Sequence, residues 1–195
     1  MKKNERRQVF MDKPLGNPAV VGLAGFGGTT LLLQFHNLGF CDVGPIIWSA
    51  FFFGGLMQLV AGFMEFRTGN NFGFAAFCTY GAFWMALGGI LWSSSYGMFN
   101  LSGTDIGYFL LMFTFITFIY WLGAMRQNWG VAFLFFTLVL GFIFLDISHL
   151  GGPAVFTKVA GVDLIICAGT AWYLMAHGIF AQLGWELPVG KPWVK

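Results

Sequence analysis

Charge is what this chain has least of. Asp, Glu, Lys and Arg make up 9% of its 195 residues, where about 25% is usual for a soluble domain. Ten basic and eight acidic side chains supply too little polar surface to cover a globule. A water-soluble domain is therefore excluded, and with it intrinsic disorder, which needs the opposite composition. The net charge of +2 is small and dispersed, which argues against nucleic acid as a partner. Cysteine is scarce as well. Cys41, Cys78 and Cys167 lie far apart with no C-x-x-C spacing, so no disulfide framework, zinc ribbon or redox motif can be built from them.

What is present is apolar length. Hydrophobic residues make up 57% of the chain, and the mean hydropathy is +0.74. A helix needs about 20 mostly apolar residues to cross ~30 Å of hydrocarbon. Six charge-poor intervals meet that length, near 17–38, 45–65, 71–92, 105–125, 129–147 and 158–181. Runs such as FLLMFTFITFIYWLG do not alternate in polarity, which excludes a transmembrane barrel. The fold expected is an all-α integral membrane bundle of six helices. Its first apolar run begins after residue 16 and lacks a small-residue cleavage site, so it reads as a retained span.

Nine of the ten cations fall on one side of this arrangement: Lys2, Lys3, Arg6, Arg7, Lys13, Arg67, Arg126, Lys191 and Lys195. The positive-inside rule makes that side cytoplasmic and puts both termini there. Residues 1–13 read as a charged cytoplasmic tail, 14–185 as the membrane domain and 186–195 as a C-terminal cytoplasmic tail. Glu65 and Arg67 read as an interfacial pair at the inner end of the second span. Small residues recur at four-residue spacing in Ala24/Gly28, Ala50/Gly54, Ala82/Ala86 and Gly103/Gly107, a pattern that permits close helix approach.

The polar residues near the spans then suggest a solute path. Asn17-Pro18, Asn70-Asn71 and Asn128 have the chemistry of helix N-caps for the three helices that start from the inside. Three such ends at one mouth would favour small anions, although capping alone explains them equally well. At ~1.5 Å per residue, Phe26, Tyr80 and Leu138 lie ~13–15 Å beyond those caps, near the bilayer midplane. If they share an axis they make an apolar neck flanked by hydroxyls at Thr29, Thr30, Thr79 and Thr137. With 25 Phe in the chain, ordinary packing is the competing reading. Gln34 and Gln58 are the amide donors available to a carboxylate, or else interhelical hydrogen bonds. Carboxylates inside a membrane are costly and often functional, which singles out Asp163. His36, Glu65 and Asp163 are the candidates for proton coupling. His36 and His149 lie toward the outer side and His177 near the inner end, so the three cannot make one site and a haem- or metal-bearing oxidoreductase subunit is a weaker alternative; a conduit for ammonia is a nearer one, since an aromatic neck without cations also suits a neutral solute.

The string NPAVVGLAGFGGTTLLLQFHNLG at 17–39 resembles the opening of the acetate uptake transporters, also called succinate-acetate permeases. FFFGGLMQLVAGFMEFRTGNNFG at 51–73 and AFCTYGAFWMALGGILW at 76–92 are similar to that family's second and third spans. The resemblance implies a non-enzymatic six-helix subunit without cofactor, assembled as a homohexamer in the cytoplasmic membrane. Each protomer would carry its own path for acetate and related short carboxylates. It also implies an apolar narrow point at Phe26, Tyr80 and Leu138, with Asn17, Thr29, Thr30, Gln34, Gln58, Asn71, Thr79 and Thr137 as polar residues along the path. Val20 stands where the family motif has a second proline, and Asn71 where it often has Thr.

Overall fold

The computed structural model describes residues 16–195; the expected tail at 1–13 lies outside the described residues. Six helices are long and apolar enough to cross a membrane. They are α1 (Ala19–Asn37), α2 (Gly44–Thr68), α3 (Asn71–Ser95), α4 (Gly103–Ala124), α5 (Trp129–His149) and α6 (Val155–Ala181). The chain is a multi-pass helical membrane protein, as its composition requires. Packing runs from α2 to α1, α1 to α6, α6 to α5 and α5 to α4, and a thin α3–α4 contact beside the strong α2–α3 pairing closes the ring.

Several ends differ from expectation for local reasons. α3 continues to Ser95 because the serines after Trp92 stay helical, and Ser95 Oγ donates back to the Trp92 carbonyl. α4 begins at Gly103 because Ser102 and Asp105 form a reciprocal capping box. There the Ser102 hydroxyl accepts from Asp105 N at 3.1 Å, and the Asp105 carboxylate accepts from Ser102 N at 2.9 Å. α6 begins at Val155, two residues after Pro153, so Lys158 lies inside its first turn.

α2 is not uniform. Ala50–Leu56 is π-helical, and the Met57 amide reaches back five residues to the Phe52 carbonyl. Such a wide turn inserts one residue into the helical repeat and rotates everything beyond it. Its other product is an exchange at Gly54, whose carbonyl accepts from Gln58 Nε2 at 2.7 Å.

The α2–α3 pairing depends on absent side chains. A Cβ at Gly81 would meet the Leu59 backbone nitrogen at 2.8 Å, and one at Gly62 would meet the Cys78 nitrogen at 2.8 Å. Backbone cannot yield as a flexible side chain does. Gly81→Leu is therefore expected to lower the thermal midpoint of the detergent-purified protein, since overpacking costs about 1–3 kcal/mol even where side chains can adjust. Heating followed by size-exclusion chromatography would check it. Among the expected small-residue pairs, Ala50/Gly54 packs inward, Gly54 against Thr29 and Trp84. Ala82 and Ala86 instead face outward, because the inward side of α3 is taken by Tyr80, Phe83, Trp84 and Leu87.

The segment after α6 turns back along the bundle. Leu187 O accepts from His177 Nδ1 at 2.7 Å, and Pro188 O accepts from the Tyr173 hydroxyl at 2.7 Å. Val189 O accepts from Gly130 N at 2.9 Å, and Met125 O accepts from Trp193 N at 2.9 Å. The Trp193 ring lies against Trp121, Trp129 and Phe136. Residues 186–195 are thus a strap across α4, α5 and α6.

Candidate functional site

Asparagines stand at three helix ends around one mouth: Asn70 and Asn128 are the N-caps of α3 and α5, whereas α1 is capped by Pro18 without a side-chain bond and Asn17 lies one residue before it. Asn17 Oδ1 accepts from Ala19 N at 3.0 Å, Asn70 Oδ1 from Gly73 N at 3.1 Å and Asn128 Oδ1 from Val131 N at 2.9 Å. In each case the side-chain oxygen satisfies an orphan backbone donor, which leaves the amide NH2 as the remaining polar group. All three residues line a cavity of about 300 Å³. Asn70 Nδ2 donates to Glu65 Oε2 at 2.8 Å.

The cavity ends at Phe26, Tyr80 and Leu138, one each from α1, α3 and α5, all 5% exposed or less. Phe26 and Tyr80 meet edge to face with centroids 5.9 Å apart. The Tyr80 hydroxyl donates to Thr117 Oγ1 at 2.8 Å, and Thr117 passes the bond to the Phe113 carbonyl at 2.6 Å. With its polar tip engaged by α4, Tyr80 presents only its ring. Beyond these residues lies a second chamber of about 30 Å³. Phe26, Tyr80 and Leu138 are the residues common to both linings, so the two spaces are separated by one apolar partition.

Of the eight polar residues expected along the path, the structure brings four to these spaces. Asn17 and Gln58 line the larger cavity, and Thr30 and Gln34 the smaller chamber. The other four lie outside both linings. Thr29 pairs with Ser49 Oγ at 2.8 Å across the α1–α2 contact. Thr79 pairs with the Tyr120 hydroxyl at 2.8 Å across the α3–α4 seam. Thr137 returns to the Leu134 carbonyl at 2.9 Å. Asn71 is exposed as the first residue of α3, and its neighbour Asn70 takes the place at the cavity.

The titratable candidates also separate. Glu65 is 3% exposed and lines the cavity. It accepts from Asn70 and Thr68 through Oε2, while Oε1 has no partner. The expected interfacial pairing with Arg67 is replaced by this burial, since the π-turn upstream rotates Glu65 inward while Arg67 stays exposed. His36 holds the Cys41 carbonyl at 2.9 Å, closing the α1–α2 connection away from both spaces. Asp163 is half-buried on α6, outside either lining, with Oδ2 unpartnered.

Sequence reasoning missed three groups. His177 lines the cavity, because the strap pins its ring by Nδ1. Trp84 walls the small chamber. Asp146, near the end of α5, is 7% exposed and accepts from Thr114 Oγ1 at 2.6 Å between α4 and α5. Among the described residues no group of three His, Cys, Asp or Glu is placed to hold a metal ion.

Six spans around an interior lined from three helix ends define a multi-pass helical membrane protein. Residues 3–185 match the GPR1/FUN34/yaaH family, and the chain belongs to it. It is 36% identical over 181 residues to the succinate-acetate/proton symporter SatP of Escherichia coli, covering 91% of this chain and 96% of that protein. It is 34% identical over 172 residues to ammonia transport outward protein 2 of Saccharomyces cerevisiae, covering 84% of this chain and 61% of the yeast protein. The solved structure described as the bacterial acetate channel SatP superposes with a TM-score of 0.87 at 35% identity, covering 91% of this chain and all of that one.

Proposed function

We propose that this chain carries acetate and related short carboxylates, succinate among them, across the cytoplasmic membrane through a path within each protomer. The observation that carries this reading is the partition: the same three apolar side chains wall both interior spaces. A carboxylate enters at the asparagine-capped mouth, exchanges water for amide donors, and passes Phe26, Tyr80 and Leu138 with its alkyl end against the rings. A bare carboxylate is expensive to desolvate, so water or a proton accompanies it. Within the path, Glu65 is the group placed to exchange that proton, ahead of His36 and Asp163, which lie off it. The relatives named for acetate and succinate support the substrate class.

The cation distribution supports an orientation with the mouth and both termini on the cytoplasmic side. The outward Ala82/Ala86 face of α3 is a surface suited to close approach by another subunit, and the assembly proposed is a homohexamer. The yeast relative's name favours ammonia as the second reading, since a neutral solute also suits an apolar neck without cations.

Sealed vesicles holding the purified protein test both. The expected result is uptake of labelled acetate that succinate and short acids compete and ammonium does not. Imposed voltage and pH gradients applied separately then show which force moves it. Ammonia flux without acetate uptake would overturn the carboxylate assignment.

A further inference from the structure

Away from the solute path, the outer surface of α5 and α6 carries a groove of about 450 Å³. Trp129 and Phe133 of α5, Ile166, Gly169 and Tyr173 of α6, and Val189 of the strap wall it. It opens away from the bundle, since Trp129, Ile166, Gly169 and Tyr173 are all exposed. Trp129 and Phe133 stack with centroids 4.9 Å apart and form one wall. The hollow is kept open at Gly169, where a Cβ would meet nothing within 4 Å. From Ile166 to Tyr173 the groove follows α6 for two turns, ~10 Å. Its two side-chain hydroxyls are already engaged: Thr170 donates to the Ile166 carbonyl at 2.8 Å and Tyr173 to the Pro188 carbonyl at 2.7 Å. The walls therefore ask an occupant for apolar contact, which suits hydrocarbon.

One end of the groove is different in charge. Gly190, with a φ of 74°, lies so close over Trp129 that a Cβ there would meet the Trp129 Cβ at 2.6 Å, and Lys191 follows it directly. Trp193 packs on Trp129 at 6.2 Å. The Met125 carbonyl accepts from Trp193 N at 2.9 Å and Val194 N at 3.1 Å, which draws their chain neighbours Arg126 and Lys195 to the same end. All three cations are exposed, and Glu186 is the one acidic residue of the strap. This end lies on the side that the cation distribution assigns to the cytoplasm. A hollow left empty on a membrane surface forfeits dispersion contacts, and a lipid tail is as apolar as the walls. Shape thus admits any acyl chain, and the cations decide which headgroup stays with it.

We propose that this groove is a binding site for an anionic phospholipid, with one acyl chain along α6 beside Gly169 and the phosphate headgroup at the end that carries Arg126, Lys191 and Lys195. The strap supplies two of the three cations and the Val189 wall, so the bound lipid and the strap hold one another against α5. The site is independent of what passes through the interior of the bundle.

The test is native mass spectrometry of the full chain, released from detergent with phosphatidylglycerol or with phosphatidylcholine of identical acyl chains. The wild type should retain phosphatidylglycerol about tenfold more tightly, given roughly a fivefold gain for each cation near an anionic headgroup and some offset from Glu186. Exchanging Arg126, Lys191 and Lys195 together for glutamine should abolish that preference and leave phosphatidylcholine retention as it was. Gly169→Leu places a side chain in the hollow without meeting protein, so it should lower retention of both lipids about tenfold, the scale of one lost side-chain contact, at an unchanged thermal midpoint. Equal retention of the two lipids by the wild type would overturn the proposal. So would a Gly169→Leu protein that changes its number of chains per particle and keeps its phosphatidylglycerol, an outcome that would give the groove to a second copy of the chain.

Discussion

Phe26→Ala should let longer acids through: the uptake ratio of butyrate to acetate in proteoliposomes is expected to rise about tenfold, the effect of removing roughly 1.4 kcal/mol of steric barrier. The reasoning is geometric. Phe26 meets Tyr80 edge to face at 5.9 Å, and both rings belong to the linings on either side. Truncating the α1 contribution widens the opening without touching the asparagine caps. Tyr80→Phe provides the control. It removes the hydroxyl bonded to Thr117 but keeps the ring, so size selection should survive while thermal stability falls slightly. An unchanged acid preference in well-expressed Phe26→Ala protein would take these rings out of the solute path.

Exchanging Glu65 for glutamine should remove whatever part of acetate uptake follows an imposed pH gradient. The substitution is nearly isosteric, and its amide oxygen can still accept from Asn70 Nδ2, the bond that Glu65 makes at 2.8 Å. Only the ionisable group disappears. Glu65→Ala goes further, because Asn70 then loses its carboxylate partner at the α3 cap and the cavity wall loses a buried side chain. Total uptake is expected to fall at least tenfold there, a loss on the scale of the 1–3 kcal/mol or so that an unsatisfied buried group costs. The comparison is read by measuring initial rates with voltage clamped and pH stepped. Equal pH-gradient responses in wild type and Glu65→Gln would show that the proton is handled elsewhere.

The meeting of Phe26, Tyr80 and Leu138 follows from counting along the sequence, whereas direction around each helix does not. Counting from Asn17, Asn70 and Asn128 placed Phe26, Tyr80 and Leu138 at one level because helical rise is nearly constant. Where a side chain points depends on the partner helix. Thr29, Thr79 and Thr137 lie within a turn of the neck residues in sequence, yet a neighbouring hydroxyl or their own backbone claims each of them. The π-helical turn at Ala50–Leu56 has no simple signature in composition, and it shifts the phase that brings Gln58 and Glu65 inward. His177 belongs to the cavity through a contact with Leu187, ten residues further on in a stretch that reads as a cytoplasmic tail. Trp84 is one of eight tryptophans, and nothing in its neighbours distinguishes an unpartnered indole from a lipid-facing one.

The strap that follows α6 gives Leu187 and Val189 a share in the entrance. Val189 secures the first turn of α5, whose cap is Asn128, and Leu187 orients the imidazole of His177. Both anchored groups border the same vestibule. A chain cut after α6 would therefore keep all six crossings yet leave this doorway unfinished, with His177 unpinned and the first turn of α5 unsecured.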